Sequence, residues 1–203
     1  MPAHPFFPVS LNLEGRCCVV VGAADDREAT EKSRALQESG ANVRRIENAD
    51  ALRDEDVRDA YFVISTPMDP ALSARLRALA DKYKFLLCCI DQPEYGFVAM
   101  AAIAKAGPVR IAISTTGLAP RVGKNLRDAL QRMMDVKFVR FIDCLATQKT
   151  RVKRRLPERE SGPIRRKAMI EAAAGFDARI AFQYPQWFED EWQNALPRVE
   201  SSR

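Results

Sequence analysis

The acid Asp91 closes an apolar run, Phe85–Ile90, and the hydroxyl-rich turn Ser114-Thr115-Thr116-Gly117 closes another, Val109–Ile113. Short apolar runs ended by turn residues read as strands buried on both faces. A carboxylate at the C-terminal end of one such strand, opposite hydroxyls at the end of another, is a place for proton-transfer chemistry. A third candidate lies upstream. The apolar run Arg16–Val21 ends at Gly22, and Gly22-Ala23-Ala24-Asp25-Asp26 leads into helix-forming residues from Arg27. A dinucleotide site favours Gly-x-Gly-x-x-Gly, because the backbone must approach the pyrophosphate closely. Only the first glycine is present here. Ala23 and Ala24 are small enough to allow approach, whereas Asp25 and Asp26 either repel a pyrophosphate or cap the helix. Glu47, ending a second strand, either accepts hydrogen bonds from ribose hydroxyls, which suits NAD over NADP, or stands in solvent.

The elements that position these residues alternate. Strands are expected at Arg16–Val21, Asn42–Ile46, Tyr61–Ser65, Phe85–Ile90 and Val109–Ile113. Helices are expected at Arg27–Ser39, with Gly40 as a C-terminal stop, and at Pro70–Tyr83, with Leu72, Leu76 and Leu79 on one face. Asn48–Ala60 reads as a short helix or a loop whose only large apolar residues are Leu52 and Val57, and Val98–Lys105 as a short helix. Alternating strands and helices imply an α/β fold, a parallel sheet covered on both faces. The first strand, turn, helix and second strand span the length of a dinucleotide-binding βαβ unit. After Ile113 the pattern becomes helical, starting near Pro120. Leu118, Val122, Leu126, Leu130 and Met134 recur every four residues, forming a stripe that packs internally or against a second subunit.

Composition excludes several classes. The 203 residues hold one ordinary domain with an extension, and 47% hydrophobic content supplies a core. The net charge of +5, from 32 basic and 27 acidic residues, suits an anionic ligand or an ordinary surface. Met1–Pro8 is a loose start without the features of a signal peptide, and no run approaches the length of a membrane span, so a cytoplasmic protein with no membrane partner is expected. Cys17 and Cys18, Cys88 and Cys89 are neighbours in strand-like runs, so each pair points to opposite faces; with Cys144 they read as reduced core residues. The single histidine, His4, lies in a Pro-rich leader, and no metal site is expected. Lys149–Leu156 and Arg165–Lys167 are basic, with a Gly162-Pro163 break between them. Aromatics are not interleaved in these runs, so they read as solvated faces and no nucleic-acid partner is expected. Phe176, Phe182, Tyr184, Trp187, Phe188 and Trp192 point to a folded helical tail.

Four stretches together resemble the siroheme-synthesis precorrin-2 dehydrogenase family, found alone or as the N-terminal part of siroheme synthase. Phe7–Gly22 is similar to the family's opening P-L-F-x-x-L-x-G-R-x-x-L-V-V-G, and Phe62–Asp69 to V-I-A-A-T-D-D. Cys89–Glu94 resembles N-V-V-D-x-P-E, and Ile111–Pro120 resembles I-A-I-S-T-G-G-x-S-P. The resemblance covers residues 6–135 well and the tail loosely. It implies a Rossmann-like NAD-binding domain over residues 1–113, a dimerisation segment over 114–146 and a small helical C-terminal domain over 147–203, assembled as a homodimer. It implies oxidation of precorrin-2 to sirohydrochlorin with NAD, with Asp91 as the catalytic aspartate. Some members also insert ferrous iron. The cofactor candidates are then Gly22, Ala23, Ala24, Asp25, Asp26, Glu47, Asn48, Ser65 and Thr66. The tetrapyrrole candidates are Ser114, Thr115, Thr116, Gly117, Arg121 and Lys124, with Lys105 a further cation for the substrate's carboxylates. The chain departs from the family at two places. The family turn is Gly-Gly-Gly with an apolar residue, where this chain has Ala23, Ala24 and an inserted Asp25-Asp26. Between Ile46 and Tyr61 it is shorter, as if one strand were lost. A second reading therefore stands beside the first: a non-redox tetrapyrrole-binding or ferrochelatase-like homologue with a degenerate nucleotide site.

Overall fold

The computed structural model describes residues 7–189. His4 and Trp192, named above, lie outside the described residues. The chain divides into two compact units, Met1–Val139 and Arg140–Arg203.

The first unit is built on four parallel strands, β1 (Cys17–Val21), β2 (Asn42–Ile46), β3 (Phe62–Ser65) and β4 (Leu86–Cys89), in the order β2-β1-β3-β4. The runs read as unbroken apolar stretches because both faces are covered. Cys18, Val20, Phe62, Ile64 and Cys88 pack with Ala29 and Leu36 of helix α1 (Arg27–Glu38). Val19, Val21, Val63 and Leu87 pack with Leu72, Leu76 and Leu79 of helix α2 (Pro70–Tyr83). Each fully buried Val or Leu contributes about 1.5–3 kcal/mol. Helix α1 starts on the Asp26 cap and stops where Gly40 adopts a φ of +81°. Helix α2 starts on Asp69 with Pro70 in its first turn and stops at Lys84, in the left-handed region at φ 63°.

The segment between β2 and β3 is two single 3₁₀ turns, Ala49–Ala51 and Asp54–Asp56. Its two large apolar residues, Leu52 and Val57, plug the α2 side of the core. Among the described residues the sheet thus carries only β2 on that side of β1.

Two expectations need correction. Ala102–Ala106 is a strand, β5, not part of a helix, and Val109–Ile113 (β6) pairs antiparallel with it in a separate two-stranded sheet instead of extending the parallel one. Alanine favours helices, but here burial alternates with period two and Gly107-Pro108 makes a two-residue hairpin turn, with Gly107 at φ 52°. Ala104 and Ala106 must be small, because Leu130 and Met134 from helix α3 (Pro120–Met133) and its end cover them. The Gln131 side chain holds both backbone groups of Lys105, accepting from its N–H at 2.9 Å and donating to its carbonyl at 2.7 Å. The four-residue stripe on α3 therefore divides. Its C-terminal half is core, whereas Leu118 and Val122 are 79% and 51% exposed.

The second unit contains most of helix α4 (Val136–Arg155) and helix α5 (Gly162–Ala172). The basic run lies on the last turn of α4, where Lys153, Arg154 and Arg155 complement the helix dipole. Arg165 donates to the carbonyls of Leu156 and Glu158, each at 2.6 Å, and fixes the connection. Phe141 stacks on Phe176 with ring centres 5.2 Å apart. The expected helical tail is not seen over residues 176–185, which carry no regular structure, and Phe182, Tyr184 and Trp187 are exposed. The cysteine reading also needs correction. All are free thiols, but only Cys18, Cys88 and Cys89 are buried; Cys17 is half-buried and Cys144 is exposed on α4. Burial pushes the Cys18 and Cys88 thiols up to about 11.

Candidate functional site

In an open parallel sheet the ligand crevice opens where successive connections leave a strand in opposite directions. Here that point is the C-terminal end of β1, because β2 lies on one side of it and β3 on the other. The turn after β1 and the turn after β3 face each other across it. Gly22 and Asp26 belong to the first, Ser65 and Thr66 to the end of β3.

The crevice is tied shut by the chain's own groups. Asp26 caps α1: one carboxylate oxygen accepts from the N–H groups of Glu28 and Ala29 at 2.8 and 3.2 Å. The other accepts a short hydrogen bond from the Thr66 hydroxyl, which also lies 3.2 Å from the Val21 carbonyl. The Thr66 hydroxyl, the Ala29 and Glu28 N–H groups and the Arg45 charge together hold the Asp26 carboxyl below the usual carboxylate range. A methyl group on Gly22 would lie 2.8 Å from Ala29 Cβ and 3.0 Å from Asp26 Oδ2, and closer still to Thr66 Oγ1. Glycine is thus required here by close packing of the chain against itself. Arg45 completes the knot, donating to the Ala23 carbonyl at 2.6 Å and to Ser33 at 3.2 Å, while its Nε is buried without a partner among the described residues.

A dinucleotide pyrophosphate on this turn needs free N–H groups at the head of α1 and open space above Gly22. Asp26 takes the Glu28 and Ala29 N–H groups of that head and, with Thr66, fills the space above Gly22. The residues present do not fit a pyrophosphate seated there. The remaining cofactor candidates are dispersed. Ala23, Ala24, Asp25 and Glu47 are exposed. Asn48 is used as a cap, accepting from the Asp50 N–H at 3.0 Å. Ser65 is buried with a hydroxyl that has no hydrogen-bond partner among the described residues.

Asp91 stands on the same sheet edge, two residues beyond β4, exposed and in the left-handed region at φ 58°. Among the described residues no hydrogen bond or ion pair engages its carboxylate. The segment Gln92–Val98 fixes its backbone from the C-terminal side. Gln92 is buried and accepts from the Ser73 hydroxyl of α2 at 2.8 Å. Phe97 and Val98 donate to the Leu87 carbonyl, and Arg77 lies 3.9 Å over the Phe97 ring. Asp91 is therefore a solvent-facing acid on a rigid mount. A groove of about 420 Å³ lined by Arg53, Asp54, Glu55, Arg58 and Tyr83 lies away from it, beside the end of α2 that precedes β4.

The tetrapyrrole candidates form a separate group between β6 and α3. Thr116 and Gly117 both have positive φ, Ser114 accepts from the Thr116 N–H at 3.2 Å, and Thr115 lies over the buried Gly123 of α3. Helix α3 starts at Ala119 with no side-chain cap. Arg121 and Lys124 are exposed in its first turns and make no ion pair among the described residues. Lys105 is otherwise engaged, 3.0 Å from Glu38 at the end of α1. No hydrogen bond or ion pair among the described residues joins this group to Asp91 or to the Gly22 turn. Arg45 and Gln92 were not singled out from sequence. The signal for Arg45 was an arginine pair, Arg44-Arg45, inside a strand, where alternation turns one of the two toward α1.

Residues 9–102 match a family described as "Putative NAD(P)-binding". Siroheme synthase of Neisseria meningitidis serogroup C (strain 053442) is 28% identical over 147 residues, which cover 64% of this chain and 30% of that protein. Siroheme synthase of Hahella chejuensis (strain KCTC 2396) is 28% identical over 169 residues, covering 74% and 36%. The chain spans about a third of the length of these curated relatives. The solved structure of SirC, precorrin-2 dehydrogenase, shares the fold with a TM-score of 0.66 and 19% identity, covering 83% of this chain and 90% of that one. The ordered motifs, the parallel sheet and these matches agree in what the chain is similar to: its sequence resembles the N-terminal regions of siroheme synthases, and it shares the fold of SirC.

Proposed function

We propose that the chain binds the tetrapyrrole of siroheme synthesis, precorrin-2 or sirohydrochlorin, at the turn Ser114–Gly117 and the head of α3. The observation that carries this reading is chemical. The turn supplies hydroxyls, the first turn of α3 has no side-chain cap, and Arg121 and Lys124 stand exposed without ion-pair partners among the described residues. A macrocycle rimmed with carboxylates is matched by cations and helix N–H groups of this kind. Asp91, on its fixed loop, is the candidate acid to hold or accept a proton at the ring. Exposed Leu118 and Val122 beside this group support assembly of two copies around it, with α3 in the dimerising segment.

NAD-dependent oxidation of precorrin-2 is the second reading. It is favoured by the match over residues 9–102 and by the place of Asp91 at the rim of the parallel sheet. The turn after β1 argues against it, so the binding role is the conclusion here. Titration of the full chain with sirohydrochlorin, followed by its absorption spectrum, tests the proposal. Saturable binding in the micromolar range is expected, and spectra identical to those in buffer sink it. Incubation with precorrin-2 and NAD+ separates the readings, since formation of sirohydrochlorin above the buffer control establishes the second.

A further inference from the structure

We infer that Asp26 is a built-in occupant of the anion site at the head of α1, so that this chain has exchanged the dinucleotide pyrophosphate for a carboxylate of its own. Four observations converge. The N–H groups of Glu28 and Ala29, which a phosphate would engage, both go to Asp26. The second oxygen of the same carboxylate reaches Thr66, so one side chain spans the crevice from the turn after β1 to the turn after β3. The surviving glycine, Gly22, is explained without a cofactor, because Ala29, Asp26 and Thr66 occupy the space a Cβ would need. The positive charge at the turn is also spoken for: Arg45 grips the Ala23 carbonyl, and its charge favours the ionised form of Asp26.

Charge makes the closure selective. A bound water or a serine hydroxyl at the same place would yield to a phosphate, because neither repels it. A carboxylate already hydrogen-bonded to the helix head opposes any second anion there, and Asp25 adds to the repulsion. A domain can thus keep the strand-turn-helix frame of a nucleotide binder while one acid of its turn takes the ligand's place. The inference stands independently of the tetrapyrrole proposal, which concerns a different group of residues.

The experiment titrates the full chain with NADH, followed by nicotinamide fluorescence, and with ADP by calorimetry. Wild type is compared with Asp26→Ser and Asp26→Asn. Both substitutions retain a side chain that caps α1 while removing the charge, and circular dichroism confirms that each variant is folded. The expected result is no saturation of wild type below about 1 mM, and binding at least about tenfold tighter in Asp26→Ser. Micromolar binding of NADH by wild type overturns the inference. So does a folded Asp26→Ser variant that binds neither ligand better than wild type. Thr66→Val supplies a second readout: losing the bridge should raise the Asp26 carboxyl pKa measured by NMR, and an unmoved titration means that Thr66 does not hold the carboxylate across the crevice.

Discussion

The heads of α1 and α3 meet the same electrostatic need in opposite ways. Every helix begins with N–H groups that lack intrahelical partners. At α1 the need is met by Asp26 from within the turn, and α2 is served likewise by Asp69, whose carboxylate accepts from Ala71 and Leu72 at 2.8 and 3.2 Å. Helices α2 and α3 both open on a proline, yet the residue before it is Asp69 in one and Ala119 in the other. That single difference leaves the head of α3 uncapped and flanked by Arg121 and Lys124. The βαβ unit thus has the frame of a nucleotide binder but uses the N–H groups of its helix head internally, whereas the helix head after the hairpin keeps its donors free of any side-chain cap.

The comparison breaks most sharply by reversing charge at α3. Arg121→Glu with Lys124→Glu should weaken sirohydrochlorin binding by about a hundredfold, read by absorbance titration, while leaving the thermal transition in place. Unchanged affinity would place the macrocycle elsewhere. At α1, Gly22→Ala should lower the unfolding free energy by about 1–3 kcal/mol in urea, because the new methyl meets Ala29 and Asp26 within 3.0 Å. A variant as stable as wild type would mean that the turn is not packed as described.

A milder test makes α3 resemble α1. Ala119→Asp should raise stability by about 0.5–2 kcal/mol through a new cap and lower tetrapyrrole affinity several-fold, in the same protein. Gain in both, or loss in both, contradicts the contrast between the two helix heads. The smallest effect concerns pH. The Asp26 carboxyl is held below its ordinary value by Thr66 and the helix N–H groups. A depressed folded-state pKa adds stability that is present above the unfolded value and lost as pH falls through the folded one. The stability difference between wild type and Asp26→Asn, measured in urea at several pH values, should therefore be constant above about pH 5 and shrink below about pH 4. A difference that grows toward acid reverses the sign and the assignment.

The parallel sheet was legible because each strand is buried on both faces and each helix opens on an acid or ends on a turn residue, so local signals agreed with tertiary packing. The β5–β6 hairpin was not. Its alanines carry helix propensity, and only their alternation under α3, a tertiary fact, makes them a strand. The site divided in the same way. Sequence identified Asp26 as either a repellent of phosphate or a helix cap, and the cap is what forms. Its bridge to Thr66 joins residues 40 apart in the chain and depends on the adjacency of β1 and β3, which no local pattern encodes. Arg45 escaped notice for a related reason, since its value lies in which face of β2 it occupies.

Gln131 carries a consequence for where a further strand could join the hairpin. A two-stranded sheet has open margins, and an open margin recruits foreign strands. By holding the N–H and the carbonyl of Lys105 together, the Gln131 amide withdraws one rung of that margin from any incoming chain. A helix side chain here stands in for a neighbouring strand, guarding against runaway pairing with no extra β-structure.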